Sequence, residues 1–182
     1  MKDKNIISGT LLISQPLIDD KRFNKKIIII TEHNNEGTLG FIINELTNIK
    51  ILDLFKDFKI INNLCYLGGP VDNNNLFYFH KKGNIINDSK KIFKNLYFGG
   101  NFNQIKEYIK SGIIKEDEIC FFLGYCGWTK NQLELELKEK CWIVYNKKIN
   151  FIDNHLEWSE LLIKYDEKYK IWINAQDDFY LN

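Results

Sequence analysis

Long apolar runs are scarce in this sequence of 182 residues. Its longest unbroken aliphatic stretch, Ile27–Ile30, is far shorter than the roughly 20 residues that a membrane-spanning helix needs. The first residues also lack an apolar segment of signal-peptide length. These two absences predict a cytoplasmic protein with no membrane partner.

Cysteine and histidine do not occur at metal-binding or redox spacing. The cysteines are Cys65, Cys120, Cys126 and Cys141, and the histidines are His33, His80 and His155. No two cysteines form a C-x-x-C pair, and no histidine stands near a cysteine in the sequence. We therefore expect reduced thiols, no metal ion and no other cofactor.

The sequence also has almost no arginine and almost no net charge. Arg22 is the single arginine, and the formal net charge is +1. This balance produces no long-range field that would attract nucleic acid. Lysine doublets such as Lys81-Lys82 have no arginine or aromatic residues between them, so a solvated surface explains them better than a phosphate-binding stripe. Composition leaves the oligomeric state open.

What the sequence does contain is a series of short strands and helices. Strands are predicted at Gly9–Ser14, Lys26–His33, Thr38–Asn44, Leu64–Leu67, Leu76–His80, Ile119–Leu123 and Trp142–Tyr145. Helices are predicted over 51–58, after Asn101, after Thr129, and from Asn154 to Tyr165. The turn Asn34–Gly37 makes an antiparallel hairpin of the second and third strands, which excludes a regular parallel alternation. The result is an α+β fold with a mixed, mostly antiparallel sheet, in a single domain over residues 1–182.

Glycines mark two further turns that could form a binding site. Gly68-Gly69-Pro70 follows one strand, and its backbone N–H groups could hold a phosphate, although a structural turn explains it better. The stretch Ile119–Leu137 predicts a strand, a turn around Gly124 and Gly127, and a helix that Thr129 and Gln132 cap. A helix N-terminus after a sharp turn is a natural place for an anion or a polar ligand group.

Three segments together resemble the YqgE/AlgH family of bacterial proteins. They are Glu32–Gly37 with Gly40 and Asn44, then Leu67–Val71, then Gly124–Trp128 followed by Gln132–Glu134. The resemblance covers nearly the whole chain. It implies a compact fold in which the strands wrap into a barrel-like sheet flanked by helices. The family is largely uncharacterised, and the AlgH name carries the label of a transcriptional regulator without a recognised DNA-binding motif. Cys126 departs from the family pattern, which usually has a small residue at that position.

Cys126 is the candidate for catalysis. A thiolate at a strand-to-helix turn, paired with His33 or His80, could attack a carbonyl group as in a hydrolase. Against this, the nucleophile-elbow pattern needs a second glycine where Trp128 stands. Packing is therefore the preferred interpretation of Cys126. In the same way, His33 could contact a ligand, but hydrogen bonding at the end of the hairpin is preferred.

These observations favour a non-enzymatic protein that binds a small ligand or a protein partner in a regulatory role. A thiol- or histidine-dependent hydrolase and a direct DNA-binding regulator are the alternatives. The predicted ligand-binding residues are His33, Asn34, Asn44, Gly68, Gly69, Pro70, Gly124, Tyr125, Gly127, Trp128 and Gln132. The prediction requires the three glycine-bearing turns to meet at one hollow.

Overall fold

A computed structural model describes residues 5–56, 58, 63–153 and 155–173. Its strands are β1 Leu11–Ser14, β2 Ile27–Asn34, β3 Gly37–Ile42, β4 Leu46–Lys50, β5 Leu64–Leu67, β6 Val71–His80, β7 Lys90–Phe93, β8 Leu96–Phe98, β9 Ile119–Thr129 and β10 Trp142–Tyr145. Its helices are α1 Ile51–Leu54, α2 Phe102–Lys110, α3 Gln132–Lys138 and α4 Trp158–Tyr165. Short 3-10 turns lie at Lys21–Phe23 and Glu116–Glu118.

The strands form one mixed sheet, as the sequence predicts. Its order is β10-β1-β2-β3-β9-β6-β8-β7, and β5 pairs with both β4 and β9. Pairing is antiparallel except between β5 and β9, which run parallel. The long strand β9 lies at the centre, because it pairs with β3, β5 and β6.

The sheet curls around one hydrophobic cluster, which we call the inner cluster. Strands from both ends of the sheet contribute to it, including Ile143 of β10 and Phe93 of β7. A Cβ atom on Gly9 would lie 3.1 Å from Cδ1 of Phe93, so the start of β1 lies close to β7. The end strands β10 and β7 do not pair within the described residues. The sheet is therefore curled but not closed, and the expected barrel-like description holds only loosely.

Helices cover both faces of this sheet. Helix α4 contributes Trp158 and Leu162 to the inner cluster. On the outer face, α2 packs Ile105 and Ile109 against β6 and β9, and α3 packs Leu133 against Cys126 and other residues. Burial of these apolar faces is the main driving force for the fold.

Between β5 and β6 the chain crosses over β9. Phe122 and Leu123 pair with β5 and also with β6, so β5 and β6 must lie on opposite edges of β9. Residues 68–70 therefore pass from one edge to the other. At the crossing, a Cβ atom on Gly68 would lie 2.2 Å from the Gly124 carbonyl oxygen, and one on Gly69 would lie 2.2 Å from the Tyr125 carbonyl carbon. Only glycine permits two backbones to approach this closely.

Gly124 also changes which way the side chains of β9 point. It has a φ of +68°, and at this point residues 72–75 of β6 are inserted between the pairs Val71–Tyr125 and Leu76–Leu123. Phe122 belongs to the inner cluster, and Tyr125, three positions later, packs against the same cluster. Side chains two positions apart normally share a face of the sheet, so the alternation of inward and outward side chains shifts by one residue at Gly124. As a result, Cys126 points to the outer face.

Several sequence-based predictions need correction at this point. The segment Gly124–Trp128 is not a turn before a helix, because β9 continues through it to Thr129. Helix α3 begins only at Gln132, after Asn131 with a φ of +63°, so Thr129 is not its N-cap. The side chain of Gln132 does accept hydrogen bonds from the Thr129 backbone N–H and hydroxyl.

Other elements are confirmed, shortened or new. The antiparallel hairpin of β2 and β3 is confirmed, and Asn101 caps α2 by accepting from two backbone N–H groups. The first predicted helix is shorter, ending at Leu54, and α4 begins at Trp158. The predicted cap Asn154 lies outside the described residues. Strands β4, β7 and β8 were not predicted. Among the described residues, the helices are all too short and too polar to cross a membrane.

Substitution of Gly124 tests whether the close backbone approach at the crossing requires glycine for stability. Gly112 is the matched control, because its φ of +74° is similar but a Cβ atom there would meet nothing within 4 Å. Gly112→Ala should cost about 1–2 kcal/mol from left-handed backbone strain alone. Gly124→Ala should cost about 2–3 kcal/mol more in the free energy of unfolding, because its Cβ atom would also meet two backbone oxygens within 2.7 Å. Equal losses in urea unfolding would contradict the close approach.

Candidate functional site

A cleft of about 480 Å³ opens on the inner face of the sheet, at the end where β2 and β3 form their hairpin. It is lined by Glu32, Asn34, Glu36, Gly37, Thr38, Leu39, Val71, Tyr125, Gly127, Trp128 and Thr129. The mouth of a curled sheet is a frequent place for ligand binding, and this volume falls in the usual range for ligand sites.

Two glycines keep the cleft open. Gly127 stands opposite Leu39, and Gly37 stands opposite Thr129. Neither glycine places a side chain over the sheet, so the inner face of β3 and β9 is bare at two adjacent positions. Gly37 cannot be replaced, because a Cβ atom there would lie 2.3 Å from the Trp128 carbonyl oxygen. Gly127 is exposed, and a Cβ atom there would first meet the Tyr125 ring at 3.2 Å.

Tyr125 and Leu39 form the floor of the cleft. Both are partly buried and pack against the inner cluster, and the Tyr125 ring stands edge-on to Phe77 at 5.6 Å between centroids. The Tyr125 hydroxyl makes no hydrogen bond to any other described residue. An aromatic face with a free hydroxyl can pack an apolar group and also accept or donate one hydrogen bond.

The rim beside β2 is polar and mainly acidic. The Asn34 side-chain oxygen accepts from the backbone N–H groups of Glu36 and Gly37, at 2.8 and 3.3 Å, which fixes the hairpin turn. Its amide nitrogen donates to Glu32 at 2.9 Å, and Lys90 of β7 pairs with the same carboxylate at 3.0 Å. The carboxylate of Glu36 makes no contact of this kind with the other described residues.

One edge of β9 borders the cleft without a partner strand. The pairing of β6 with β9 starts at Val71–Tyr125, because residues 68–70 arrive there from the crossing. Strand β9 nevertheless continues to Thr129, and β3 pairs with its opposite edge over Cys126–Thr129. Within the described residues, the edge of β9 beyond Tyr125 is therefore open on the β6 side.

The predicted site residues separate into groups in the structure. Asn34, Tyr125, Gly127 and Trp128 line the cleft, although the indole of Trp128 lies in the outer-face cluster. Gly68, Gly69 and Gly124 meet at the crossing, next to Tyr125, and Pro70 leads from there into β6. The glycine-bearing segments therefore meet, but mainly through backbone contacts. They leave a hollow on only one side.

Three predicted residues lie elsewhere. Asn44 stabilises the far end of the β2–β3 pair, where it accepts from the Ile27 N–H at 2.8 Å and donates to the Lys25 carbonyl at 2.9 Å. His33 and Gln132 lie on the outer face. The Nδ1 atom of His33 is 2.7 Å from the Thr38 hydroxyl, and its Nε2 atom is 3.8 Å from Glu134 of α3. These contacts hold the hairpin and α3 together.

Glu136 of α3 links the helix to the outer face of the sheet. Its carboxylate accepts from the indole N–H groups of Trp128 and Trp142, at 2.8 and 2.6 Å. Gln132 donates to its other oxygen at 3.1 Å. Hydrogen bonds to a charged acceptor are among the stronger ones in proteins, so this cluster fixes α3 on the sheet.

Cys126 does not have the environment of a nucleophile. It is only 1% exposed, it lies within β9 rather than at a helix N-terminus, and its thiol donates to the Gly68 carbonyl at 3.4 Å. Burial raises its pKa to about 12. The thiolate required for attack is therefore strongly disfavoured near neutral pH.

His80 and Ser89 form a pair that the sequence did not suggest, since nine positions separate them. The Ser89 hydroxyl is 3.3 Å from His80 Nε2 in a region beside α2. The Lys82 backbone N–H donates to Nδ1 of His80 at 3.2 Å, so the ring proton resides on Nε2, which donates to the Gly99 carbonyl at 2.9 Å. A protonated Nε2 cannot accept the serine proton, so the pair is not a catalytic dyad.

A second, larger cavity of about 820 Å³ lies near the other end of β9. It is lined by Leu46, Asn63, Leu64, Tyr66, Lys115, Glu116, Asp117, Cys120 and Ile152. No group of three or more potential metal ligands occurs among the residues that the structure describes.

The curled, mostly antiparallel sheet with helices on both faces and a cleft at its hairpin end defines an α+β protein. A family model described as AlgH-like matches residues 11–170. The chain belongs to this AlgH-like family, as its sequence motifs predict.

The most similar proteins include bacterial relatives named UPF0301 protein. The one from Parabacteroides distasonis is 38% identical over 181 residues, which are 97% of this chain and 91% of the relative. The one from Cytophaga hutchinsonii is 34% identical over 181 residues, covering 97% of this chain and all of the relative.

Two solved structures share the fold. A crystal structure of a Corynebacterium diphtheriae protein aligns with a TM-score of 0.74 at 18% identity and covers 90% of each chain. The solution structure of the AlgH protein from Pseudomonas aeruginosa aligns with a TM-score of 0.66 at 23% identity and covers 85% of each chain.

The reactivity of Cys126 tests its buried, structural role. Iodoacetamide at pH 8 should label Cys126 in the native protein far more slowly than the half-buried Cys141, because alkylation needs an accessible thiolate. In urea the two cysteines should react alike. Peptide mass spectrometry follows each site. Rapid native labelling of Cys126 with a pH midpoint below 8 would contradict the assignment and restore the hydrolase alternative.

The pH dependence of stability tests the neutral state of His80. Burial lowers its pKa from the ordinary value of 6.5, so below pH 6.5 the unfolded chain binds a proton that the native protein does not. The stabilisation from His80 should be complete above that pH, fall as the pH falls, and vanish below the native pKa.

The free energy of unfolding, measured in urea at several pH values, tests this expectation. His80→Gln should lose less stability than the wild type between pH 7.5 and pH 5. Parallel curves for His80→Gln and the wild type would show that His80 is not held neutral.

Proposed function

We propose that this protein is a non-enzymatic binding protein of the cytoplasm, whose cleft between β2, β3 and β9 holds a small ligand or a segment of a protein partner. The observation that carries the proposal is the bare sheet surface at Gly37 and Gly127, next to the Tyr125 ring. Side chains normally fill such an inner face. A bare surface next to an aromatic floor and a polar rim has the composition of a ligand site.

The chemistry of the described residues supports binding rather than catalysis. Cys126 is buried with a raised pKa, and the proton on His80 Nε2 leaves Ser89 without a base. The cleft itself offers carboxylates, an amide, a phenol and the Thr129 hydroxyl. The Thr38 hydroxyl lies 2.7 Å from His33 Nδ1, but Thr38 is only 7% exposed and His33 lies on the outer face, so this pair is turned away from the cleft. Glu32 is already engaged by Asn34 and Lys90.

A regulatory role fits this type of site. A protein that binds without transforming its ligand acts on other molecules through occupancy and the resulting shift in stability or surface. Direct DNA binding has less support, since the net charge is +1 and Arg22 is the single arginine.

Filling the cleft tests the proposal. Gly127→Leu adds a side chain to the cleft in an extended strand, where Leu is tolerated, so the melting temperature should change by only a few degrees. Asn103→Leu, on the exposed side of α2, is the control, because it places the same leucine side chain on a surface away from the cleft without a change of charge. Isotope-labelled protein is titrated with a panel of metabolites and with a mixture of short peptides.

Binding at the proposed site should shift the amide signals of Tyr125, Gly127 and Thr129. The same shifts should be absent in Gly127→Leu and unchanged in Asn103→Leu. Binding that maps to another surface, or that persists in Gly127→Leu, would contradict the proposed site. The absence of any binding from the metabolites and the peptides would also count against the proposed site, since the two panels represent both classes of occupant.

A further inference from the structure

We propose that the occupant of the cleft is an extended peptide segment of a protein partner, which pairs as an added strand with the open edge of β9 and extends a basic side chain across Gly127 towards Glu32 and Glu36. This inference rests on the proposed function and specifies its ligand. Strand addition to an exposed sheet edge is a general mode of peptide recognition.

The backbone of β9 is oriented for such pairing. A Cβ atom on Gly37 would lie 2.3 Å from the Trp128 carbonyl oxygen, so this carbonyl points towards β3. Backbone groups of successive strand residues point to opposite edges. The N–H and C=O groups of Gly127 therefore point to the open edge, where β6 has not yet begun.

The open edge has the length of a short peptide. Residues 126–129 of β9 pair with β3 on the other side. Four residues of strand extend over about 13 Å, which suits a segment of roughly four to six residues. An exposed edge of this kind is otherwise a liability for aggregation, and it is short here.

Glycine at position 127 explains how a peptide side chain could reach the rim. Glu32 pairs with Leu39, and Leu39 pairs with Gly127, so β2 lies two strands from β9 and three strands from a peptide added at its open edge. Three strand spacings amount to about 14 Å. A lysine or arginine side chain of the peptide can cover part of that distance only by lying over position 127, where a larger residue would block it, and the glutamate side chains extend from the other side. The Tyr125 ring lies beside the same path.

Charge complementarity selects a basic side chain. Glu32 and Glu36 carry two negative charges at the rim, and Lys90 balances one of them. Glu36 has no ion-pair partner among the described residues. An arginine or lysine could therefore pair with Glu36, while an acidic side chain would be repelled.

A library of random 12-residue peptides on phage tests the inference. It is selected on the wild-type protein after depletion on Gly127→Leu, and the selected sequences are synthesised. The selected peptides should share a lysine or arginine. Alternate N–H groups of a bound strand face β9, so N-methylation at those positions should weaken binding at least about 10-fold. N-methylation at the positions between them should not weaken binding. Glu36→Gln should weaken binding about 2- to 5-fold, and Glu107→Gln on α2, the matched control, should have no effect.

Each other result would overturn the inference. Peptides that tolerate methylation at every nitrogen would not be bound as a strand, and peptides without a basic residue would not use the acidic rim. A selection that yields no Gly127-dependent peptide would exclude a peptide occupant. The metabolite titration would then decide separately whether the cleft binds a small ligand. A dimer in sedimentation that Gly127→Leu dissociates would show that a second copy of this chain takes the edge.

Discussion

The passage of residues 68–70 over β9 determines how the rest of the sheet is arranged. Because Gly68 and Gly69 lie against the backbone of Gly124 and Tyr125, β5 can occupy one edge of β9 and β6 the other. The same passage makes β6 begin only opposite Tyr125, which leaves the end of β9 unpaired on that edge. The cleft therefore follows from a steric constraint on glycine backbones rather than from a specialised loop.

The two faces of β9 have different roles after this point. The outer face is closed by α3, where Glu136 accepts from the indoles of Trp128 and Trp142. The inner face is left bare by Gly37 and Gly127. Since the shift at Gly124 decides which residues face outwards, it also separates the structural aromatic residues from the cleft. A rigid outer face and an open inner face suit binding without a large conformational change.

Much of the fold could be predicted from sequence, because the hairpin of β2 and β3, the cap Asn101 and the isoleucine-rich strands carry local signals. The continuation of β9 through Gly124–Trp128 could not. The glycines in this segment are typical of a turn. In the structure, however, glycine is needed at position 124 because the backbone there contacts Gly69 and Val71, which are distant in sequence. Strand β7 was missed because it is short and begins with two exposed lysines. Of the residues predicted to bind a ligand, Asn34, Tyr125, Gly127 and Trp128 line the cleft, whereas others such as His33 point away from it. A sequence pattern does not show which face a side chain takes next to a bulge.

The central claim is that the edge of β9 at Gly127 is free while its neighbours are paired. Native-state hydrogen exchange measured by NMR tests this claim most directly, because protection of an amide depends on its own hydrogen bond and on local opening. The account predicts that the Gly127 amide exchanges rapidly, whereas the amides of Cys126 and Trp128, which face β3, are protected. Equal protection of all three amides would contradict it, since the edge would then already be covered.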